Sequence, residues 1–454
     1  MDEKKNSAVK DLTEGSPAKL IFYFTLPLLA GNVFQQLFGF VDTLIVGRFL
    51  GVEALAAVGC TGSLMFLMLG FVMGATSGFS IYTGQRFGAK DYDGIRYSVV
   101  VCTVLALVMS IILAIIGVAY CRELLVFMDT PPEILEGAYS FIVIIYGGVG
   151  GFIFLQMQSN LIRALGDSKM PTIIQATTLC INIALEPVAI ILLGLGIPGA
   201  AGATIVSLII GNIICFIYIR KKIPLLHTKK EDWHFDKAVV LEHLKIGLPM
   251  GFQSSIIAIG AVILQIALNG LGPVAVASFA AAQRVDGIAV MPMMSFGVAI
   301  AAYTAQNFGA QKFERIHDGV KKTIWMSCSF SIVAAIFNIM FGAEIIKLFV
   351  GEGQEQIVEY GQLFLTVNGL AYWVMALLFI FRFTLQGLGQ ALIPTFAGGV
   401  ELVMRIIAAV VLVDYWGFLG ACLAAPMAWV GAAVPLAIAF YITQRKMKHL
   451  YSDD

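Results

Sequence analysis

The chain has 454 residues, 29 Lys and Arg against 29 Asp and Glu, 59% hydrophobic residues and only 13% charged ones. A soluble domain carries about 25% charged residues, so a chain with roughly half that density cannot cover a water-exposed surface. These figures exclude a soluble enzyme, a disordered chain and a nucleic-acid binder, which needs a basic excess. A mean hydropathy of +0.87 and 46 glycines point instead to an all-α integral membrane protein with many spans.

A membrane-crossing helix needs about 20 mostly apolar residues. Twelve segments qualify, at about 20–47, 53–81, 96–120, 136–162, 171–194, 199–219, 247–270, 276–304, 319–343, 359–384, 392–413 and 418–443. The N-terminal segment, 1–19, has no apolar core and does not read as a signal peptide. Residues 220–246 form a charged linker, and 444–454 a short polar tail. With the N-terminus inside, 23 of the 29 basic residues fall on the cytoplasmic side and three (Arg48, Arg122, Lys347) on the outer side. The bias places both termini in the cytoplasm of a multi-pass protein of the cell (plasma or inner) membrane.

The chain also repeats itself. GQRFGAKDYDGIR from Gly84 resembles AQNFGAQKFERIH from Ala305, and the TLPLLAG stretch aligns Pro27 with Pro249 of GLPMGF. RALGDSKMPT and LQGLGQALIPT align Gly166 with Gly389 and Pro171 with Pro394. The offsets of 221–223 residues divide the chain into an N-terminal half (20–219) and a C-terminal half (247–443) of six spans each. An even number of spans per repeat makes the halves insert the same way round, as two six-helix bundles related by a pseudo-two-fold axis along the membrane normal. Transporters use such paired bundles, with alternating access between them.

Ionisable groups inside a span cost about 2.5–3.5 kcal/mol on insertion scales and mark function or a partner. Asp42, Glu186, Asp286 and Glu401 are the acids well inside spans. Asp42 lies in span 1, two turns beyond Gln35 on the same face. Glu186 lies in span 5, four residues after Asn182 and directly before Pro187, which removes a backbone N–H and frees a carbonyl near Ile183. Thr204 adds a hydroxyl from span 6. At 1.5 Å per residue, Asp42, Glu186 and Thr204 lie roughly 8, 12 and 8 Å below the outer ends of their spans, so they can form one cluster. Two carboxylates, an amide and a bare carbonyl without a basic partner suit a reversible proton or sodium site.

The second half differs. Glu401 and Arg405 are spaced for a salt bridge on one helix. Arg284 and Asp286 in span 8 point to different faces. With Gln283, Gln253 of span 7 and Met293 of the VMPMM stretch, they are candidates for lining or gating a substrate cavity. Arg382 reads as a residue that snorkels to the cytoplasmic interface. Gly147, Gly148, Gly150 and Gly151 are expected to bend span 4, and Pro27 and Pro292 are potential kinks. The seven scattered cysteines have no metal-ligand or redox spacing. GLGIPG from Gly194 is a short turn with no strand before it, and there is no P-loop, GxSxG or HExxH. The residues therefore suggest no catalytic constellation, metal or cofactor.

The VDTLIVGRFLG end of span 1, the RALGDSKMPT loop and the NIALEP stretch, set in six plus six spans, resemble multidrug and toxic compound extrusion (MATE) transporters over about 15–445. The resemblance is to the DinF-like branch. Its span-1 aspartate matches Asp42, and its NxxxDP motif matches Asn182 and Glu186, with Glu where the pattern has Asp. Gln35 and Thr204 match polar positions of the same site. The acid that the NorM-like branch places in span 7 has no counterpart in GLPMGFQSSIIAIGAV. The resemblance implies an antiporter that exports amphipathic, often cationic compounds in exchange for H+ or Na+, acting as a monomer in the bilayer, with no cofactor and no nucleic-acid partner. The alternative within the superfamily is a flippase or exporter of a lipid-linked precursor or an endogenous metabolite.

Overall fold

A computed structural model describes residues 9–450, with side chains through Met447. The ends of the expected N-terminal segment and C-terminal tail lie outside the described residues. Within them the chain is helical, with no strand. The α-helices are α1 (Pro17–Cys60), α2 (Gly62–Gly88), α3 (Tyr92–Phe127), α4 (Pro132–Gly147), α5 (Val149–Ala164), α6 (Lys169–Pro187) and α7 (Gly196–Lys222). After a linker come α8 (Lys237–Gly270), α9 (Pro273–Gly309), α10 (Phe313–Val350), α11 (Glu355–Gly387), α12 (Leu392–Ile407), α13 (Val413–Trp416) and α14 (Phe418–Leu450). Eleven helical stretches are long and apolar enough to span a membrane, and α4 with α5, bent by 46°, makes a twelfth. The bend falls at Gly148, inside the glycine run where it was expected. Gly51 breaks α1 with a φ of 87°, a conformation open to glycine, and turns the first span into the second.

The chain folds as two compact units. The first holds Ala30–Gly247 with the chain up to Asp11; the second holds Leu12–Leu29 and the chain from Leu248 onward. In the first unit α2 packs on α5, α3 on α4 and α5, and α7 on α4, α5 and α6. In the second, α11 is central and contacts α9, α10 and α14, while α12 packs on α14.

The helix that opens each repeat changes unit at matching places. The start of α1 buries Ile21, Phe24 and Leu28 in the core of the second unit, and the change at Leu29 follows Pro27. The start of α8 belongs to the first unit, where His243 is fully buried, and the change at Gly247 precedes Pro249. His243 sits there in a chain of hydroxyls. Its Nε2 is 2.8 Å from Ser98 Oγ, which is 2.7 Å from Thr83 Oγ1.

The repeat extends to backbone irregularities. A π-helical turn follows α6 at Val188–Leu192, and another follows α12 at Ala408–Leu412. The first comes directly after Pro187, whose missing N–H cannot continue the α-helical ladder. Beside each turn the next helix crosses with a glycine, Gly199 of α7 near the Ala189 carbonyl and Gly420 of α14 near the Leu412 carbonyl. A Cβ on Gly420 would stand 2.2 Å from the Leu412 oxygen, whereas one on Gly399 would meet nothing within 4 Å. Gly420→Ala is therefore expected to cost about 1–3 kcal/mol through overpacking against backbone. Gly399→Ala should be neutral or slightly stabilising. Thermal unfolding of the purified detergent-solubilised variants, set against wild type, checks both.

Candidate functional site

In the first unit, the second half of α1 carries Asp42 and the last turn of α6 carries Glu186. Their carboxyl groups lie within hydrogen-bonding reach of each other. Glu186 is 1% exposed and Asn182, one turn earlier on the same face of α6, is 3% exposed. Glu186 Oε2 and Asn182 Oδ1 are both buried acceptors with no hydrogen-bond partner. Among the described residues, no Lys, Arg or His forms an ion pair with either carboxyl. Thr204 of α7 is half-buried and donates to the Ala200 carbonyl, 3.2 Å away on its own helix, which leaves its oxygen lone pairs available. Gln35 of α1 is exposed. The structure thus joins Asp42 and Glu186 directly and sets Asn182 one turn away on the same face. Gln35 is not buried with them.

The chemistry of this group follows from donor and acceptor counting. Ionised carboxylates only accept hydrogen bonds. Two carboxyl oxygens at hydrogen-bond distance hold together only through a shared proton or a cation. Two further orphan acceptors beside them add to the same deficit of positive charge. Surplus acceptor oxygens with no cationic partner are the chemistry that favours a proton or a hard monovalent cation.

The second unit holds the other two intramembrane acids. Glu401 of α12, 2% exposed, accepts from the Arg382 guanidinium of α11. Arg405 Nη2 lies 4.0 Å from its other oxygen, and Arg405 Nη1 donates to the Ile257 carbonyl at 3.3 Å. The pairing of Glu401 with Arg405 expected from their spacing is therefore the longer of two contacts. Arg382 does not snorkel; it is buried, because Glu401 on the neighbouring helix meets its charge within the unit. Spacing along one helix could not reveal that partner, 19 positions away.

Asp286 of α9 is buried, while Gln283 and Arg284 beside it are exposed. Asp286 Oδ1 accepts from Tyr372 Oη at 2.5 Å, and Tyr372 Oη accepts from Asn338 Nδ2 at 2.9 Å. Asn368 also lies within hydrogen-bonding reach of the carboxyl. Asn368 and Tyr372, one turn apart on α11, carried a signal in the sequence as a polar pair on one face of an apolar span. Gln253 is buried with its Oε1 accepting from Gln386 at 2.9 Å, and Met293 is fully buried in the core.

Long apolar helices, two units built on one repeat and carboxyl groups kept inside the helical interior define a multi-pass membrane transporter rather than an enzyme. A family model described as MatE matches residues 27–188 and again 249–411, so its two copies start 222 positions apart, at Pro27 and Pro249. The probable multidrug resistance protein YoeA of Bacillus subtilis (strain 168) is 30% identical over 380 residues, covering 82% of this chain and 81% of that one. The multidrug export protein MepA of Staphylococcus haemolyticus (strain JCSC1435) is 24% identical over 377 residues, covering 83% of each. A solved outward-facing structure of a multidrug resistance MATE family transporter of the MOP superfamily has the same fold, with a TM-score of 0.91 at 22% identity over 98% of this chain and 100% of that one. The chain belongs to the MatE family, the multidrug and toxic compound extrusion transporters.

The two groups of acids predict opposite responses to neutralisation. Glu401→Gln leaves the buried Arg382 guanidinium and the half-buried Arg405 guanidinium without a counter-charge and should cost about 3–5 kcal/mol. Asp42→Asn removes a charge that has no cationic partner and should leave stability unchanged or raised. Thermal unfolding in detergent at neutral pH separates the two; equal losses for both variants would contradict this division.

Proposed function

We propose that this transporter is a secondary active multidrug efflux antiporter, exporting amphipathic, often cationic compounds in exchange for H+ or Na+ by alternating access. The observation that carries the reading is the approach of Asp42 and Glu186 to hydrogen-bonding distance with no basic residue to neutralise them. The export names of the YoeA and MepA relatives support the drug substrates. The transporter acts as a monomer, as the family resemblance implies, with both termini in the cytoplasm, an orientation supported by the basic bias of the loops.

The coupling works through charge. With the carboxyls of Asp42 and Glu186 ionised, the protein favours a cationic substrate. Entry of H+ or Na+ from outside satisfies the orphan oxygens of Glu186 and Asn182, rearranges α1 around Pro27 and weakens the hold on substrate. Net drive requires the ion to bind the two conformations with different affinity. A membrane potential of about 100 mV adds about 2.3 kcal/mol for each charge moved inward. Of the second-unit candidates, the exposed Gln283 and Arg284 are proposed to contact substrate or gate its path. Asn182 and Thr204 contribute oxygen ligands, and Gln35 lies two turns before Asp42 on the same helix.

The test is efflux of ethidium from proteoliposomes, driven separately by a pH gradient and a sodium gradient. Wild type should respond to one of the two. Asp42→Asn and Glu186→Gln should each lower gradient-driven efflux about tenfold or more, the factor that ~1.4 kcal/mol represents, while still binding the dye. Wild type that moves dye under neither gradient would overturn the drug-antiport reading and turn attention to lipid-linked or metabolite substrates.

A further inference from the structure

The two buried acids of the second unit differ in what surrounds them. Glu401 faces two guanidinium groups, Arg382 and the more distant Arg405, in a structural triad. Asp286 is buried too, yet among the described residues its hydrogen-bonding partners, Tyr372 and Asn368, are neutral. Tyr372 is fully buried, Asn368 is 1% exposed and Asn338 is 3% exposed. They come from α10 and α11, and Trp429 of α14 lies across the Tyr372 ring at 6.4 Å between centroids. Among the described residues Tyr372 is the titratable group that faces the carboxyl; Arg284, on the same helix, is exposed instead. Asp286 lies about 20 Å along α9 from Pro273 at 1.5 Å per residue, deep in a hydrocarbon layer roughly 30 Å thick.

The direction of the hydrogen bonds defines what this carboxyl can bind. Asn338 Nδ2 can only donate, so Tyr372 receives that bond on its oxygen and turns its own hydrogen to Asp286 Oδ1. The tyrosine thus presents a hydrogen rather than a lone pair, which makes a poor ligand cage for a metal cation. Oδ2 remains open to a proton. Asn368 beside it suits both states, because a side-chain amide donates to a carboxylate through its NH2 and accepts from a carboxylic acid through its oxygen. Asn368 Oδ1 is buried and has no partner, so an acceptor for the added proton is already in place. A guanidinium in that position would fix the ionised form; an amide lets it change.

We propose that Asp286 is a second proton-binding site, located in the C-terminal half and separate from the Asp42–Glu186 group. On loading, one proton adds to Asp286 Oδ2 and hydrogen-bonds to Asn368 Oδ1, while the Tyr372 hydroxyl continues to serve Oδ1. On release the proton leaves to water and the Asn368 amide turns its NH2 back to the carboxylate. The transporter then binds a proton in its C-terminal half in addition to the H+ or Na+ of the Asp42–Glu186 group. This extends the antiport reading above but concerns proton binding, which can be observed without any transport.

The experiment is infrared difference spectroscopy of the full-length protein in lipid bilayers during a pH titration in sodium-free buffer, following the C=O stretch of protonated carboxyl groups. Wild type should show a titrating band that is lost in Asp286→Asn and retained in Asp42→Asn and Glu186→Gln. Tyr372→Phe, which keeps the ring, should shift both the frequency and the titration midpoint of that band, and serves if Asp286→Asn does not fold. A difference spectrum unchanged by Asp286→Asn, or a band untouched by Tyr372→Phe, overturns the proposal. Failure of gradient-driven efflux in the Asp42 and Glu186 variants, with the Asp286 band intact, leaves the two sites experimentally distinct.

Discussion

The cost of keeping a charge in hydrocarbon organises this molecule. An acid inside an apolar span must face a cation, take a proton or open to water. The four intramembrane acids divide along that line. Glu401 is met by Arg382 and Arg405 and behaves as part of the scaffold. Among the described residues Asp42, Glu186 and Asp286 have no such partner, and the groups beside them are another carboxyl, amides and a phenol. Unpaired acids would be selected against if stability alone mattered, since an apolar replacement costs nothing comparable. Their presence makes sense where protonation or cation binding is part of the working cycle.

The repeat supplies the framework that puts such groups where they can act. Each half ends its fifth span in a π-helical turn and lets the next helix cross it at a glycine. In the N-terminal half that irregular backbone follows Glu186 directly, next to the unpartnered side-chain oxygens of Glu186 and Asn182. Irregular backbone inside a membrane is tolerated where it is buried in protein or lines a polar site. The opening helices of the two repeats, α1 and α8, each pass from one unit to the other beside a proline, at Pro27 and Pro249. Asp42 and the proline of its helix therefore sit on one continuous α1.

Much of this was legible in the sequence, for identifiable reasons. Span length follows from bilayer thickness, and the repeat from short polar loops at one offset. The meeting of Asp42 with Glu186 followed from helix rise, which puts both at similar depth. The i,i+4 spacing of Asn182 and Glu186 placed the amide on the same face. What was not legible depends on packing between helices. Arg382 looked like an interfacial residue because nothing along α11 marks Glu401 of α12 as its partner. Tyr372 and Asn368 of α11 meet Asp286, with Asn338 of α10 bonding to Tyr372 behind them, and sequence spacing carries no register between those helices. Gln35 shows the reverse: sharing a face with Asp42 along the helix did not bury it.

Whether the uncompensated carboxyls of the N-terminal half carry the coupling ion is tested most directly by comparing exchange with uphill transport in one preparation. Proteoliposomes holding the Asp42→Asn, Glu186→Gln double variant are given equal dye on both sides with a radioactive tracer on one, and then an ion gradient alone. The account predicts that tracer exchange persists, since it needs only substrate and a conformational change, while the gradient no longer concentrates dye. A double variant that still drives dye uphill as well as wild type would contradict it.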